Sequence, residues 1–291
     1  MPAIDEFWYE FSMIRDYNLT SGTSLSTLFG KENGERIRLY PYQIKFLRHI
    51  YTENCVCVVK ARRAGYSSAY LLHAIFRLYR AFLEDRDEYD KLNFIVVSCN
   101  KSLSVHSEKF IRQGLRLFDN TDFVLTALDH ITFLTPGTLK TRLIGYKHRD
   151  VNEVFFDEYQ LFPNDTDLSS LEYALNVKKV IGVTTIGDTK SNVQKYINNF
   201  SKNNPDVIFT PWYECPLYNK HLRWERLGIV IEEKTIDEEG NVQYDPDGWR
   251  SRIANFWEPK SDWSEKYEGL ILSQETFDKE FNCKNGKRIF F

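Results

Sequence analysis

The sequence predicts an α/β domain, a mostly parallel central sheet flanked by helices, and three observations carry that expectation. The first is the apolar run Cys55–Val59, a short basic turn, and then apolar side chains at helical spacing (Leu71, Leu72, Ile75, Phe76, Tyr79, Phe82, Leu83). The second is a repeat of that unit: an apolar strand over Leu92–Ser98, a polar turn, and a helix with Ile111, Leu115 and Phe118 on one face. The third is the apolar strand Val151–Glu158, which closes on the acid pair Asp157-Glu158.

The chain has 291 residues, 42% of them apolar and 15% aromatic, enough for one large domain and a small appendage. Its net charge of -3 gives no global basic field, so any nucleic-acid surface must be local. The five cysteines form no C-x-x-C pair, and the six histidines form no H-E-x-x-H motif. Core thiols in a reducing compartment are the expectation, without a zinc site. No run approaches 18 apolar residues, so no membrane segment is expected.

Taken in order, Ile4–Tyr17 reads as an amphipathic helix and Ser21–Asn33 as a polar loop or arm, together a leader over residues 1–35. Ile131–Leu134 and Leu139–Ile144 read as short strands around Pro136-Gly137. Val180–Val183 is a further strand ending in Thr184-Thr185, and a last strand begins at Asp206. Residues 36–211 form the expected core. From 212 to 291 a small α+β piece is expected, with a hairpin over Leu227–Tyr244 turning near Glu239-Gly240-Asn241.

Strand, basic turn and helix around Lys60–Ser68 have the layout of a phosphate-binding loop, in which backbone N–H groups and a helix N-terminus cradle an anion. The spelling deviates from G-x-x-x-x-G-K-[ST]. Tyr66 stands where the lysine usually does, and Lys60 stands where the first glycine does, five residues before Gly65. A lysine at the front could supply the missing charge; a basic surface turn is the other reading. Upstream, Tyr42 offers a ring for stacking and Gln43 a donor and an acceptor for an adenine edge, although Pro-Tyr-Gln also starts ordinary helices.

At the carboxyl edge of the sheet Asp157 could hold Mg2+ and Glu158 activate water, or the two acids could simply cap a helix. Thr184 and Thr185, next in order, could contact Glu158 or the water.

In this order Tyr42-Gln43, K-A-R-R-A-G-Y-S, V-F-F-D-E and V-T-T resemble the ATPase half of a large terminase subunit, the DNA-packaging motor of tailed bacteriophages. The front-loaded lysine and Tyr66 look most like the lambda-type proteins. The resemblance covers nearly all of residues 36–291. It implies a RecA/ASCE-type P-loop ATPase using ATP and Mg2+. Tyr42 and Gln43 would contact adenine, and the loop Lys60, Ala61, Ala64, Gly65, Tyr66, Ser67 and Ser68 would line the phosphates. Ser67 and Asp157 would hold the metal, Glu158 would be catalytic, and Thr184 and Thr185 would be the coupling motif. Arg62, ahead of Arg63, is the candidate cis arginine finger, and Arg149, ahead of Arg142, the trans one. The implied partners are double-stranded DNA, like subunits in a ring on a portal protein, and a small terminase subunit, in the host cytoplasm. The 212–291 piece resembles the linker to a nuclease domain for which the chain has no room, so no nuclease activity is expected. A helicase-like ATPase and a non-catalytic nucleotide-binding scaffold are the competing expectations.

Overall fold

The computed structural model describes residues 40–116, 118, 120–139, 150–168, 177–185, 192–201, 206–215, 218–232, 249–254, 256–268 and 281. Within them a six-stranded, wholly parallel sheet runs in the order β3-β2-β4-β5-β1-β6. Its strands are β1 (Cys55–Lys60), β2 (Phe94–Ser98), β3 (Ile131–Leu134), β4 (Val151–Asp157), β5 (Val177–Thr184) and β6 (Asp206–Thr210). Strands β1, β2 and β4 are buried along their whole length, which is why they read as continuous apolar runs without alternation.

Alternate strand residues feed two cores. On one face Val56, Val58, Phe94, Val96, Phe155 and Ile181 pack against helices α1 (Pro41–Thr52), α2 (Tyr66–Glu84) and α4 (Lys101–Leu115). On the other, Cys57, Ile95, Val97, Val154 and Phe156 meet Val193 and Ile197 of α6 (Asn192–Phe200). Two short helices, α3 (Arg86–Lys91) and α5 (Thr121–Thr126), connect the units, each with a side-chain cap, from Asp85 and Asn120.

Helix α2 runs along β4 as a matched stripe. Ser67 bonds Asp157, the Tyr70 ring stacks on Phe155 at 4.0 Å and 8°, and His73 and Arg77 both reach Glu153. Ten helical residues rise about 15 Å and four strand residues about 13 Å, so the two periods stay in register.

A second sheet is antiparallel, in the order β8-β7-β9, from β7 (Arg223–Arg226), β8 (Ile229–Glu232) and β9 (Glu258–Lys260), with α7 (Trp249–Ile253) and α8 (Asp262–Glu268) beside it in the chain. Trp212, Tyr213, Tyr218, Trp224 and Phe281 bury themselves in the same core as α1 and α2.

One local expectation changes, and one turn is added. A hairpin that the sequence reading did not name turns at Leu227-Gly228, both at positive φ (49° and 81°), because a two-residue turn of that kind matches the strand twist; the turn expected near Glu239-Gly240-Asn241 lies outside the described residues. Ile131–Leu134 pairs in parallel with β2, and Leu139 is helical, with 140–144 outside the described residues. The expected leader at 1–35 also lies outside them. Among the described residues, no helix is long and apolar enough to cross a membrane.

Candidate active site

Strand β5 lies between β1 and β4, so the turn after β1 and the acids after β4 open onto one edge, the carboxyl ends of the strands. Chain geometry builds that edge. Ala61 N–H donates to the Thr210 carbonyl at 2.7 Å, anchoring the turn to β6, and Ala64 N–H returns to the Ala61 carbonyl at 3.3 Å. Gly65, at φ 78°, is the N-cap of α2, and a Cβ there would stand 2.6 Å from Gln43 Nε2. Glycine therefore serves both the left-handed turn and the approach of α1.

The sequence-predicted residues fall into three groups. Lys60, Ser67, Asp157, Glu158, Thr184 and Thr185 converge. The Lys60 ammonium, 3% exposed, donates to Glu158 Oε1. Ser67 Oγ donates to Asp157 Oδ1 at 2.6 Å, and Thr185 N–H reaches Glu158 Oε2 at 3.4 Å.

A second group turns inward. Tyr42 Oη and Gln43 Nε2 both donate to the Ala64 carbonyl, at 2.9 and 3.1 Å, while Gln43 Oε1 accepts Tyr40 N–H at 3.0 Å. Both side chains are thus spent largely on holding the loop. Tyr66 is fully buried: its ring packs edge-on to Phe46 and its hydroxyl bonds Thr210 Oγ1. Its side chain faces the core, which leaves its backbone to face any phosphate.

The third group is solvent-exposed or half-buried, or lies outside the described residues. Arg62 and Arg63 are exposed, Arg63 at φ 61°, and the Arg62 carbonyl accepts the Tyr218 hydroxyl at 2.7 Å. Ser68 is half-buried in the first turn of α2. Arg142 and Arg149 lie outside the described residues.

Gln160 escaped the sequence reading. Its Nε2 donates to Glu158 Oε2 at 2.7 Å and to Thr185 Oγ1 at 2.6 Å, and its Oε1 accepts the Thr184 hydroxyl. It therefore ties the acid strand to the end of β5. The available signal was its place two residues after Glu158; nothing in its spelling names a partner.

Strand alternation would send Asp157 and Glu158 to opposite faces. Glu158 instead adopts a left-handed conformation (φ 53°, ψ 48°), which ends β4 and enters a 3-10 turn at Tyr159–Leu161. Such a conformation in a non-glycine residue costs of order 1–3 kcal/mol and marks a site that the surroundings over-determine.

The two acids differ electrically. Burial pushes the Asp157 carboxyl up to about 6; the neighbouring Glu158 charge adds to this, while the Ser67 hydrogen bond and Lys60 oppose it. Burial works in the same direction at Glu158, but the Lys60 charge, with hydrogen bonds from Gln160, Lys60 and Thr185 N–H, outweighs it and holds the carboxyl below its ordinary value. A buried carboxylate whose described bond is to one hydroxyl is an all-oxygen donor pair of the kind a hard divalent cation takes, so Ser67 and Asp157 fit Mg2+.

No protein-family model matches the chain, and no curated protein matches its sequence. Among solved structures it is similar to the DEAD-box helicase Mss116 bound to ssRNA and UDP-BeF, with a TM-score of 0.43 and 18% identity over 59% of this chain and 40% of that one. The UvsW helicase from bacteriophage T4 gives 0.45 and 17%, over 62% of each chain. The large terminase from the thermophilic bacteriophage D6E gives 0.41 and 11%, over 60% of this chain and 46% of that one. The chain thus spans between 40% and 62% of the length of these proteins. Each is a distant likeness of chain path, and none carries chemistry to this chain. The sheet itself is a parallel α/β sheet with one strand, β5, between the loop strand and the acid strand.

Proposed function

We propose that the chain is an ATP-hydrolysing motor domain of the large-terminase kind, which drives double-stranded viral DNA into a procapsid. The observation that carries this reading is the meeting of Lys60, Ser67, Asp157 and Glu158 at one sheet edge, a phosphate cradle facing a paired acid. The N-terminus of α2 and the loop N–H groups bind the phosphates, with Lys60 as their cation. Ser67 and Asp157 hold Mg2+, which when bound neutralises charge developing on the phosphates. Glu158 takes the proton of the attacking water, and Gln160 fixes the direction of its carboxylate.

Tyr42 and Gln43 position the loop through Ala64, and the second Nε2 proton of Gln43 serves the adenine edge. Thr184 and Thr185, bonded through Gln160, pass the state of Glu158 to β5. Arg62 senses the terminal phosphate in the same subunit and Arg149 in a neighbour. DNA is held by phosphate contacts, so its binding weakens with salt and ignores sequence. A ring of like subunits on a portal protein, loaded by a small subunit, is the working assembly.

The test is steady-state ATP hydrolysis with Mg2+ by wild type and Glu158→Ala, over a range of protein concentrations, with and without duplex DNA. Turnover that is lost in the variant and rises faster than linearly with protein is the expected result. Nucleotide binding without turnover under every condition overturns the motor and leaves a scaffold.

A further inference from the structure

We infer that Lys60 is a latch released by the nucleotide itself: its one ammonium is shared between Glu158 and the terminal phosphate, and a phosphate that draws it away leaves Glu158 held by Gln160 and Thr185 N–H alone. This inference rests on reading the loop as a nucleotide site.

The geometry follows from where the lysine stands in the sequence. In the usual spelling it begins in the first turn of the helix; here that place belongs to Tyr66, whose ring is buried against Phe46 and whose hydroxyl is held by Thr210. Lys60 is instead the last residue of β1. Val59 is level with Thr184, and Asp157 is level with Val183, so Lys60 and Glu158 leave the sheet at nearly the same height on either side of β5. Two strand spacings, about 10 Å, separate their backbones. The two long side chains close that gap across the end of β5, and the ion pair forms.

One ammonium therefore faces two anionic duties. The loop needs it for phosphate, and the acid pair needs it while no phosphate is present. The Tyr66 side chain points to the core, so the first turn of α2 supplies no ammonium in its place. While Lys60 holds Glu158, the cradle lacks its cation. When a phosphate takes the ammonium, Glu158 keeps its bonds from Gln160 and Thr185 N–H, which aim it. The base is armed only with phosphate in place.

Calorimetry gives the affinity for the magnesium complex of a non-hydrolysable ATP analogue in wild type, Glu158→Gln, Lys60→Met and the double variant, with thermal melts confirming that each folds. Because the analogue is not hydrolysed, lost turnover cannot account for a change. The latch predicts that Glu158→Gln binds about tenfold tighter than wild type, the size of a typical coupling between contacting residues. It predicts weaker binding by Lys60→Met and no further effect of Glu158→Gln in that background. Unchanged or weaker binding by Glu158→Gln, or equal tightening in both backgrounds, overturns the latch alone. Absence of binding by all four proteins overturns the nucleotide site, and the latch with it. If Lys60→Met does not fold, Lys60→Gln replaces it in the same cycle.

Discussion

Strand β4 carries two fully or nearly fully buried carboxylates four residues apart on the same face, and they are driven in opposite directions. At Glu153 burial would raise the carboxyl, yet His73, Arg77 and Lys179 outweigh it and bring it down to about 2. At Asp157 burial prevails and takes the carboxyl up to about 6. Helix α2 faces both: its middle and far part give Glu153 a histidine and an arginine, its first turn gives Asp157 a hydroxyl. A carboxylate supplied with its cations is a fastener, and one left short of them is a site waiting for a cation. A cavity of roughly 420 Å³ lies at the Glu153 end, lined by Tyr51, His73, Arg77, Glu153 and Lys179, away from the loop.

Substitutions at the two ends of β4 should therefore separate activity from stability. The largest effect belongs to the loop end: Glu158→Gln lowers the ATP turnover by about 10²- to 10⁴-fold, the usual range for a general base, with a smaller loss of stability than at Glu153, because it strands the Lys60 ammonium alone. An equal loss of stability would erase the distinction.

At the other end, Glu153→Gln removes the buried carboxylate that His73, Arg77 and Lys179 share and costs about 3–5 kcal/mol in denaturant unfolding. Its pH dependence has a definite sign. The Glu153 carboxyl sits below its ordinary value of 4.5, so its contribution is fully present above that value and is lost as pH falls toward about 2. The gap in melting temperature between wild type and Glu153→Gln should narrow over that window, and a constant gap would show that the charge is not what the cluster uses.

Smaller, and opposite in sign, is Asp157→Asn with EDTA present. It removes an undercompensated buried charge and should raise stability by about 0.5–2 kcal/mol while abolishing Mg2+-dependent nucleotide binding. A destabilised variant would place Asp157 among the fasteners. Smallest is Tyr66→Phe, which loses one buried hydrogen bond, about 1 kcal/mol by urea unfolding, and leaves nucleotide affinity unchanged.

The sheet and the order of its motifs were legible in the sequence because buried parallel strands spell themselves as apolar runs. Cys55–Val59, Leu92–Ser98 and Val151–Asp157 needed no tertiary information. Asp157-Glu158 stood out because two acids closing such a run are costly unless used. Side-chain direction was not legible. Tyr66 faces the core, Tyr42 and Gln43 bond Ala64, and Gln160 bridges Glu158 to Thr185, each through contacts 20 or more residues away in sequence or through a turn whose φ no spelling announces. Glu153 went unremarked for the same reason, since its cations come from α2 and β5. The Leu227-Gly228 turn was missed because Glu-Gly-Asn is the stronger turn spelling.

The contacts of Lys179 close a circuit. Its ammonium caps the carbonyls of Ile50 and Tyr51 at the end of α1, beside Glu153. The start of α1 holds Ala64 in the loop, and the loop opens α2, whose far part returns to Glu153. Loop, α2, β4, β5 and α1 thus form a braced frame with a member on every side, and the Tyr218 hydroxyl, from the turn that leads to β7, props it at Arg62. In a braced frame a load at one joint is shared by all the others. Loosening one joint, the bonds to Ala64 or the cluster at Glu153, therefore takes a brace from the others as well.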